Sequence, residues 1–186
     1  MPPTDTAADL VVLVDDEGNP IGSAPKAEVH GSDTPLHLAF SCHVYDAHGR
    51  TLLTRRALDK RTWPGVWTNS FCGHPRPGEA VVDAVHRHAA HELGLILRDV
   101  RIVLPSFRYR AVDASGVVEN EVCPVYTAVV DDEPTPNRRE VVEAVWESPA
   151  ALAASVRATP WAFSPWLVLQ MAQLDGLSPN PAASVR

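Results

Sequence analysis

Two short tracts carry the residue types needed to move a proton beside a metal ion. Ser70-Phe71-Cys72-Gly73-His74-Pro75 supplies a thiol and an imidazole, and Glu119-Asn120-Glu121-Val122-Cys123-Pro124 supplies two carboxylates. Glu119 and Glu121 are two residues apart, so on a strand they project from one face and can share a cation. Taken singly, either tract also fits a plainer structure: a solvated acidic strand face, or a buried structural thiol.

The segments around these tracts predict how they are held. Residues 10–14 form an apolar run closed by Asp15-Asp16-Glu17-Gly18-Asn19, a strand and a turn. Residues 37–45 and 51–54 read as a hairpin through Ala47-His48-Gly49, and Trp63-Pro64-Gly65-Val66-Trp67 as a stiff loop. A helix is predicted over 79–93, with Val81, Val82, Val85, Ala89 and Leu93 on one stripe and Gly94 as its left-handed cap. Strands follow at 102–104, with 107–111 continuing it, then at 122–130 and 141–146, the last two parted by the polar stretch 131–137. Ser164 and Pro165 suit the N-cap and first position of a helix over 166–174, stopped by Gly176. Strands in the middle with helices around them give a mixed α/β (α+β) sandwich. One domain over 9–175 is expected, with flexible tails at 1–8 and 176–186 and no internal repeat.

Bulk properties narrow the function. The chain has 186 residues, 45% hydrophobic and 21% charged, as in a soluble globular protein. A net charge of −7 opposes general nucleic-acid binding, which needs a basic face, yet leaves room for a small phosphorylated substrate. No apolar run approaches the roughly 20 residues of a membrane span. The first residues lack a secretory pattern, and three cysteines fit reduced thiols better than a disulfide frame, so the expected location is cytoplasmic. No protein partner is predicted.

The helix carries a family pattern. Gly73, five residues, Glu79, seven residues and Arg87 reproduce the opening spacing of the Nudix box. The positions that follow are His88, Ala89, Ala90, His91, Glu92, Leu93, Gly94 and Leu95, so histidine stands at two of the three metal-binding carboxylate positions. The box is degenerate, which weighs against diphosphate hydrolysis, the alternative function. Glu92 can still help bind Mg²⁺ that also takes phosphate oxygens.

The segments DTPLHLAF (33–40), TRRA (54–57), WPGVWTNS (63–70), CGHP (72–75), FRYRA (107–111), VENEVCPV (118–125) and TPWAFSPW (159–166) occur in the order found in one family. Through them the chain resembles the type I isopentenyl diphosphate isomerases, which have a Nudix-type α/β/α sandwich with a mixed sheet. The resemblance implies interconversion of isopentenyl and dimethylallyl diphosphates, feeding isoprenoid biosynthesis, through a tertiary carbocation. Cys72 matches the family's thiol, and Glu121, with Tyr109, the opposing acid/base. The resemblance leaves open which of the two sides delivers the first proton. A free thiol titrates near about 8.5 and a glutamate near about 4.3, so positioning and metal polarisation must supply much of the effect. Trp166 matches the aromatic face for the cation, and Trp67 is a second possible wall. His30, His37, His74, Glu119 and Glu121 match the metal ligands, a set suited to Mn²⁺ or Zn²⁺. Lys26, Arg56 and Lys60 match the diphosphate contacts, Mg²⁺ on Glu92 would assist them, and Arg87 is the helix's candidate. His88 stands where relatives often carry a second arginine. Cys42 and Cys123 read as structural thiols, and His43 and His48 as bystanders. A base deaminase and a structural zinc module lack the paired cysteines they need. A non-catalytic binding module of the same fold would require loss of the thiol or the glutamate pair, and both are present.

Overall fold

The computed structural model describes residues 10–174; the predicted tails at 1–8 and 176–186, and the stop at Gly176, lie outside the described residues. In chain order the strands are Leu10–Val14 (β1), Pro20–Pro25 (β2), His37–Leu38 (β3), Phe40–Tyr45 (β4), Thr51–Arg56 (β5), Trp67–Thr68 (β6), Phe71–Gly73 (β7), Arg98–Leu104 (β8), Arg108–Val112 (β9), Val118–Val122 (β10), Val125–Val129 (β11) and Val141–Glu147 (β12). The helices are Lys26–Val29 (α1), Val81–His88 (α2), Pro149–Ala158 (α3) and Pro165–Leu174 (α4).

One sheet runs β2-β1-β3-β10-β9, and the other β12-β5-β4-β11-β8 with β6 on β5 and β7 on β4. Adjacent residues of β5 show how the second sheet is covered. Leu52 packs with Ala84, Val85, Ala89 and Leu93 of the 81–93 helical segment, whereas Leu53 packs with Leu152, Val156 and Leu167 of α3 and α4. Side chains alternate across a strand, so helices lie on both faces, and the α/β/α sandwich follows. β4 is buried along its whole length for the same reason.

Two crossings join the sheets. β3 leads into β4 through Ala39, and β10 into β11 through Cys123 and Pro124. The two run parallel, with Ala39 N–H donating to the Val122 carbonyl at 2.9 Å and Ser41 N–H to the Pro124 carbonyl at 3.1 Å. Here the structure corrects the single strand expected over 122–130. Proline has no N–H for a ladder, and the chain changes sheet at Pro124. Residues 107–111 likewise do not continue the preceding strand: β8 belongs to the second sheet and β9 to the first.

The helix predicted from 79 starts at Val81, and its last turn, Ala89–Leu93, widens into a π-helix closed by Gly94 at φ 64°. Thr135 and Asn137 N–H groups donate to the Leu93 and Glu92 carbonyls at 2.7 and 2.8 Å, so the polar stretch 131–137 caps that helix end. Ser164 Oγ accepts from Leu167 N–H at 3.4 Å, as its N-cap role predicts. β2, α1 and α3 were not anticipated. α3 buries only Leu152 and Val156, too sparse a stripe to signal itself, although Ser148 caps it and Pro149 opens it.

His43, buried on β4, bonds Gln170 of α4 at 2.9 Å. Burial, opposed by that bond, lowers its pKa to about 4. Unfolded, it takes a proton near about 6.5, so between those values the unfolded state binds more protons and stability rises with pH. Urea titrations should show wild type losing up to about 3 kcal/mol from pH 6.5 to 4 through this group. His43→Gln should have a flatter profile; equal slopes for the two proteins would contradict the assignment.

Candidate active site

Sheet register assembles one wall. Glu121 on β10 lies beside Tyr109 on β9 and His37 on β3, so three strands present a phenol, a carboxylate and an imidazole in a row. Glu119 follows two residues away on the same face. Asn120, between them, points to the other face and donates to the Thr34 carbonyl at 3.2 Å, holding the loop that carries His30. The facing wall is β7, where Cys72 pairs with Ser41 of β4 and His74 follows directly. Between them lies a cleft of about 670 Å³, bounded also by Lys26, Arg56, Lys60, Arg87, Glu92 and Trp166.

The chain therefore brings together residues separated by more than a hundred positions in sequence. Of the residues given a site role from sequence, all but His37 and Trp67 line the cleft, and His37 is fully buried. One ligand atom each from His30, His37, His74 and Glu121 lie within 4.8 Å of one another. The imidazoles pack at centroid distances of 5.0, 5.2 and 5.7 Å. Glu119 adjoins the group through His30, with Oε2 3.1 Å from Nε2. These donors fit a divalent cation. His30 Nε2, His37 Nε2 and Glu119 Oε2 are buried polar atoms without hydrogen-bond partners, costly unless an ion takes them. The outer contacts match too: His37 Nδ1–H donates to the Pro35 carbonyl at 3.0 Å, leaving Nε2 to ligate. Thr62 Oγ1 donates to Glu119 Oε1 at 2.7 Å.

Electrostatics sort the groups by proton. Burial opposes ionisation of Glu121, but the His37 and His74 imidazoles beside it outweigh that, so the carboxylate is held well below its usual range. Burial lowers His74 to about 4 despite Glu121. The Cys72 thiol is pushed up to about 12, again chiefly by burial, with bonds from Ser41 and Asn69 opposing. Burial and the Glu121 charge keep Tyr109 a phenol. At neutral pH one wall thus bears a protonated thiol and the other an ionised carboxylate beside a phenol.

Trp166 closes the cleft, edge-on to Trp63 at 5.6 Å, beside Tyr109 at 5.8 Å, with the Arg56 guanidinium 5.3 Å over its ring. Its Nε1–H donates to Asn69 Oδ1 at 3.1 Å. Trp67, read from sequence as a second wall, packs instead with Leu53 and Phe163, away from the cleft. The strand register explains this: Trp67 pairs with Arg55, and Phe163 bridges to it from the side of α3 and α4.

Several cleft cations already have partners within the protein. Arg87 forks onto Glu79 at 2.8 and 2.6 Å and donates to the His74 carbonyl at 3.2 Å. Arg87 therefore staples α2 to the loop behind the thiol while lining the cleft. Arg56 donates to the Thr62 and Trp63 carbonyls, and Lys60 pairs with Glu140. His88 lies against the bend of the thiol loop: a Cβ on Gly73 would fall 2.5–2.6 Å from three of its ring atoms, so a side chain there would have to displace the imidazole. His88 Nδ1 also bonds Glu92 at 2.7 Å. Arg61 and His91 line the cleft too, as does Arg76, which was not singled out from sequence. Nor were Thr62 and Asn69; Asn69 lay within a recognised segment, whereas nothing local marked Thr62.

Residues 35–167 match the NUDIX domain. The isopentenyl-diphosphate Delta-isomerase of Agromyces mediolanus is 62% identical over 181 residues, 97% of this chain and 88% of that protein. The isopentenyl-diphosphate Delta-isomerase of Clavibacter sepedonicus is 63% identical over 163 residues, 88% of this chain and 86% of that protein. A solved protein of Deinococcus radiodurans superposes with a TM-score of 0.69 at 19% identity, over 89% of this chain and 98% of its own, a likeness of fold.

Thr62→Val should weaken metal binding about ten- to a hundredfold, read by competition with a chromogenic chelator. Unchanged affinity would remove Glu119 from the ligand set.

Proposed function

The chain belongs to the Nudix-domain isopentenyl-diphosphate Delta-isomerases, and from that membership we propose that its cleft performs a metal-dependent 1,3 proton shift between isopentenyl and dimethylallyl diphosphates. One observation carries this reading: the Cys72 thiol and the Glu121 carboxylate line one cleft, where burial favours the protonated thiol and the neighbouring imidazoles favour the ionised carboxylate. The shift adds a proton at one end of an allylic unit and removes one at the other, so it needs one group holding a proton and one able to take it. Cys72 and Glu121 are assigned these roles, with the Tyr109 hydroxyl beside Glu121. Each turnover inverts the protonation of the pair, and proton exchange with solvent restores it. A flat C5 unit between the walls brings both reacting carbons within reach, which converts the transfer to an intramolecular process.

Trp166 offers the positive charge of the intermediate an aromatic neighbour, and its burial keeps water, which would capture a cation, off one side. His30, His37, His74, Glu119 and Glu121 would hold Mn²⁺ or Zn²⁺, whose chemistry here is to polarise the groups of the Glu121 wall. Glu92 would share Mg²⁺ with the diphosphate, which Lys26, Lys60 and Arg56 of the cleft lining would also contact. Arg87, which also holds the His74 backbone, would be the helix's contact to the diphosphate. Hydrolysis of the diphosphate finds little support, since histidines stand at two box positions and Glu79 is paired with Arg87. We further assign residues 9–175 as one domain and the cytoplasm as its compartment; among the described residues, no helix is long and apolar enough to cross a membrane.

The test is an NMR time course of isopentenyl diphosphate with the protein, Mg²⁺ and Mn²⁺ in D₂O. Dimethylallyl signals with deuterium in the methyl group are expected, whereas released phosphate without allylic product would refute the reading. Cys72→Ala should lower turnover by at least about a thousandfold with metal still bound. Glu121→Gln should lose both turnover and metal.

A further inference from the structure

His43, which matches nothing in the family segments, is the far end of a buried polar chain that reaches the thiol. His43 Nε2–H donates to Gln170 Oε1 at 2.9 Å, and Gln170 Nε2–H donates to Ser41 Oγ at 2.8 Å. Ser41 Oγ lies 3.1 Å from Cys72 Sγ and 3.4 Å from Cys123 Sγ. Ser41 and Gln170 have no exposed surface, and His43 is 2% exposed. Three buried polar side chains are costly unless each finds its partner, and here each does.

The direction of the chain settles what reaches the sulfur. Gln170 uses its oxygen on His43, so its N–H₂ faces Ser41. Ser41 Oγ is thereby the acceptor of that bond, and its own O–H is left to donate to sulfur, with Cys72 the nearer. On the other side, Cys72 S–H donates to Asn69 Oδ1 at 3.4 Å, an oxygen that also accepts from Thr68 Oγ1 at 2.9 Å and Trp166 Nε1 at 3.1 Å. The sulfur therefore sits between one donor and one acceptor. With its proton it bonds Asn69; without it, it is still held by Ser41.

We propose that Ser41, oriented by Gln170 and His43, is a positioning residue for the isomerisation: its hydroxyl fixes the Cys72 sulfur against the cleft and supports it once its proton has left. The proposal rests on Cys72 being the reacting thiol. Placement through the core explains why β4, β7 and α4 must meet where they do, since β4 supplies His43 and Ser41, α4 supplies Gln170 and β7 supplies the thiol.

The experiment measures kcat, KM, bound metal and thermal midpoint for Cys72→Ala, Ser41→Ala, Ser41→Thr and Gln170→Met. Ser41→Ala should lose at least about tenfold in kcat, with KM within about twofold of wild type and metal content unchanged. Gln170→Met, nearly isosteric, should fall in the same direction by less. Ser41→Thr keeps the hydroxyl and should retain most of kcat. The proposal is overturned if Ser41→Ala keeps wild-type kcat, or if Ser41→Thr falls as far as Ser41→Ala, which would indicate packing instead of the hydroxyl. Loss of metal in step with kcat would also overturn it. Should Ser41→Ala not fold, Gln170→Met decides: undiminished kcat refutes the chain. An active Cys72→Ala would instead refute the thiol assignment itself, and so is distinguishable.

Discussion

Two neighbouring strand crossings, β3 into β4 and β10 into β11, determine how the rest of the molecule can be arranged. They are parallel and bonded to each other through Ala39, Val122, Ser41 and Pro124. Because both chains change sheet at the same level, the two sheets are fixed in mutual position by short backbone contacts instead of by long connections. His37 and Glu121 sit just before the crossing on one sheet, and Ser41 just after it on the other. Ser41 pairs with Cys72, so the distance between thiol and carboxylate walls is set by a few residues of backbone. That is a stiff arrangement, as a site for carbon protonation requires.

The same proximity creates an electrostatic problem. Three imidazoles and two carboxylates are buried around one point, several with atoms that no protein group satisfies. Desolvation makes such a cluster unfavourable by itself, so a bound cation is as much part of the packing as of the chemistry. Outer contacts from Pro35 and Thr62 hold ligands in place without entering the cluster. The region around the helix is built differently. Glu79 and Arg87, two box residues, are joined to each other and to the His74 carbonyl, and His88 rests against Gly73. A pattern that elsewhere gathers carboxylates here supports the loop bearing Cys72 and His74.

Some of this was legible from particular residues. The alternation of Glu119 and Glu121, the apolar stripe of the helix, Gly94 and the Ser164–Pro165 start all act over a few positions, where spacing alone decides geometry. The segments bearing Cys72, His74, Tyr109 and Trp166 were recognisable as a set, and the cleft contains them. Trp67 was misread because a bulky ring in a matched segment does not reveal which side of its strand it occupies. The pairing of Arg87 with Glu79 was not read from the box spacing, because that contact depends on the turn between Gly73 and the helix. Ser41, Gln170 and Thr62 gave no signal, for each matters only through an atom far away in sequence.

The sequence by itself determined the family, the sandwich of helices and strands, and the inventory of thiol, imidazoles and carboxylates, since these depend on residue identity and local periodicity. Tertiary structure alone decided which groups face one another: the break at Pro124 that divides one expected strand between two sheets, the partners claimed by Arg87 and Lys60, and the buried thread from His43 to Cys72. Hydrogen bonds and desolvation depend on distances between remote segments, and those distances exist only once the two sheets have closed upon each other.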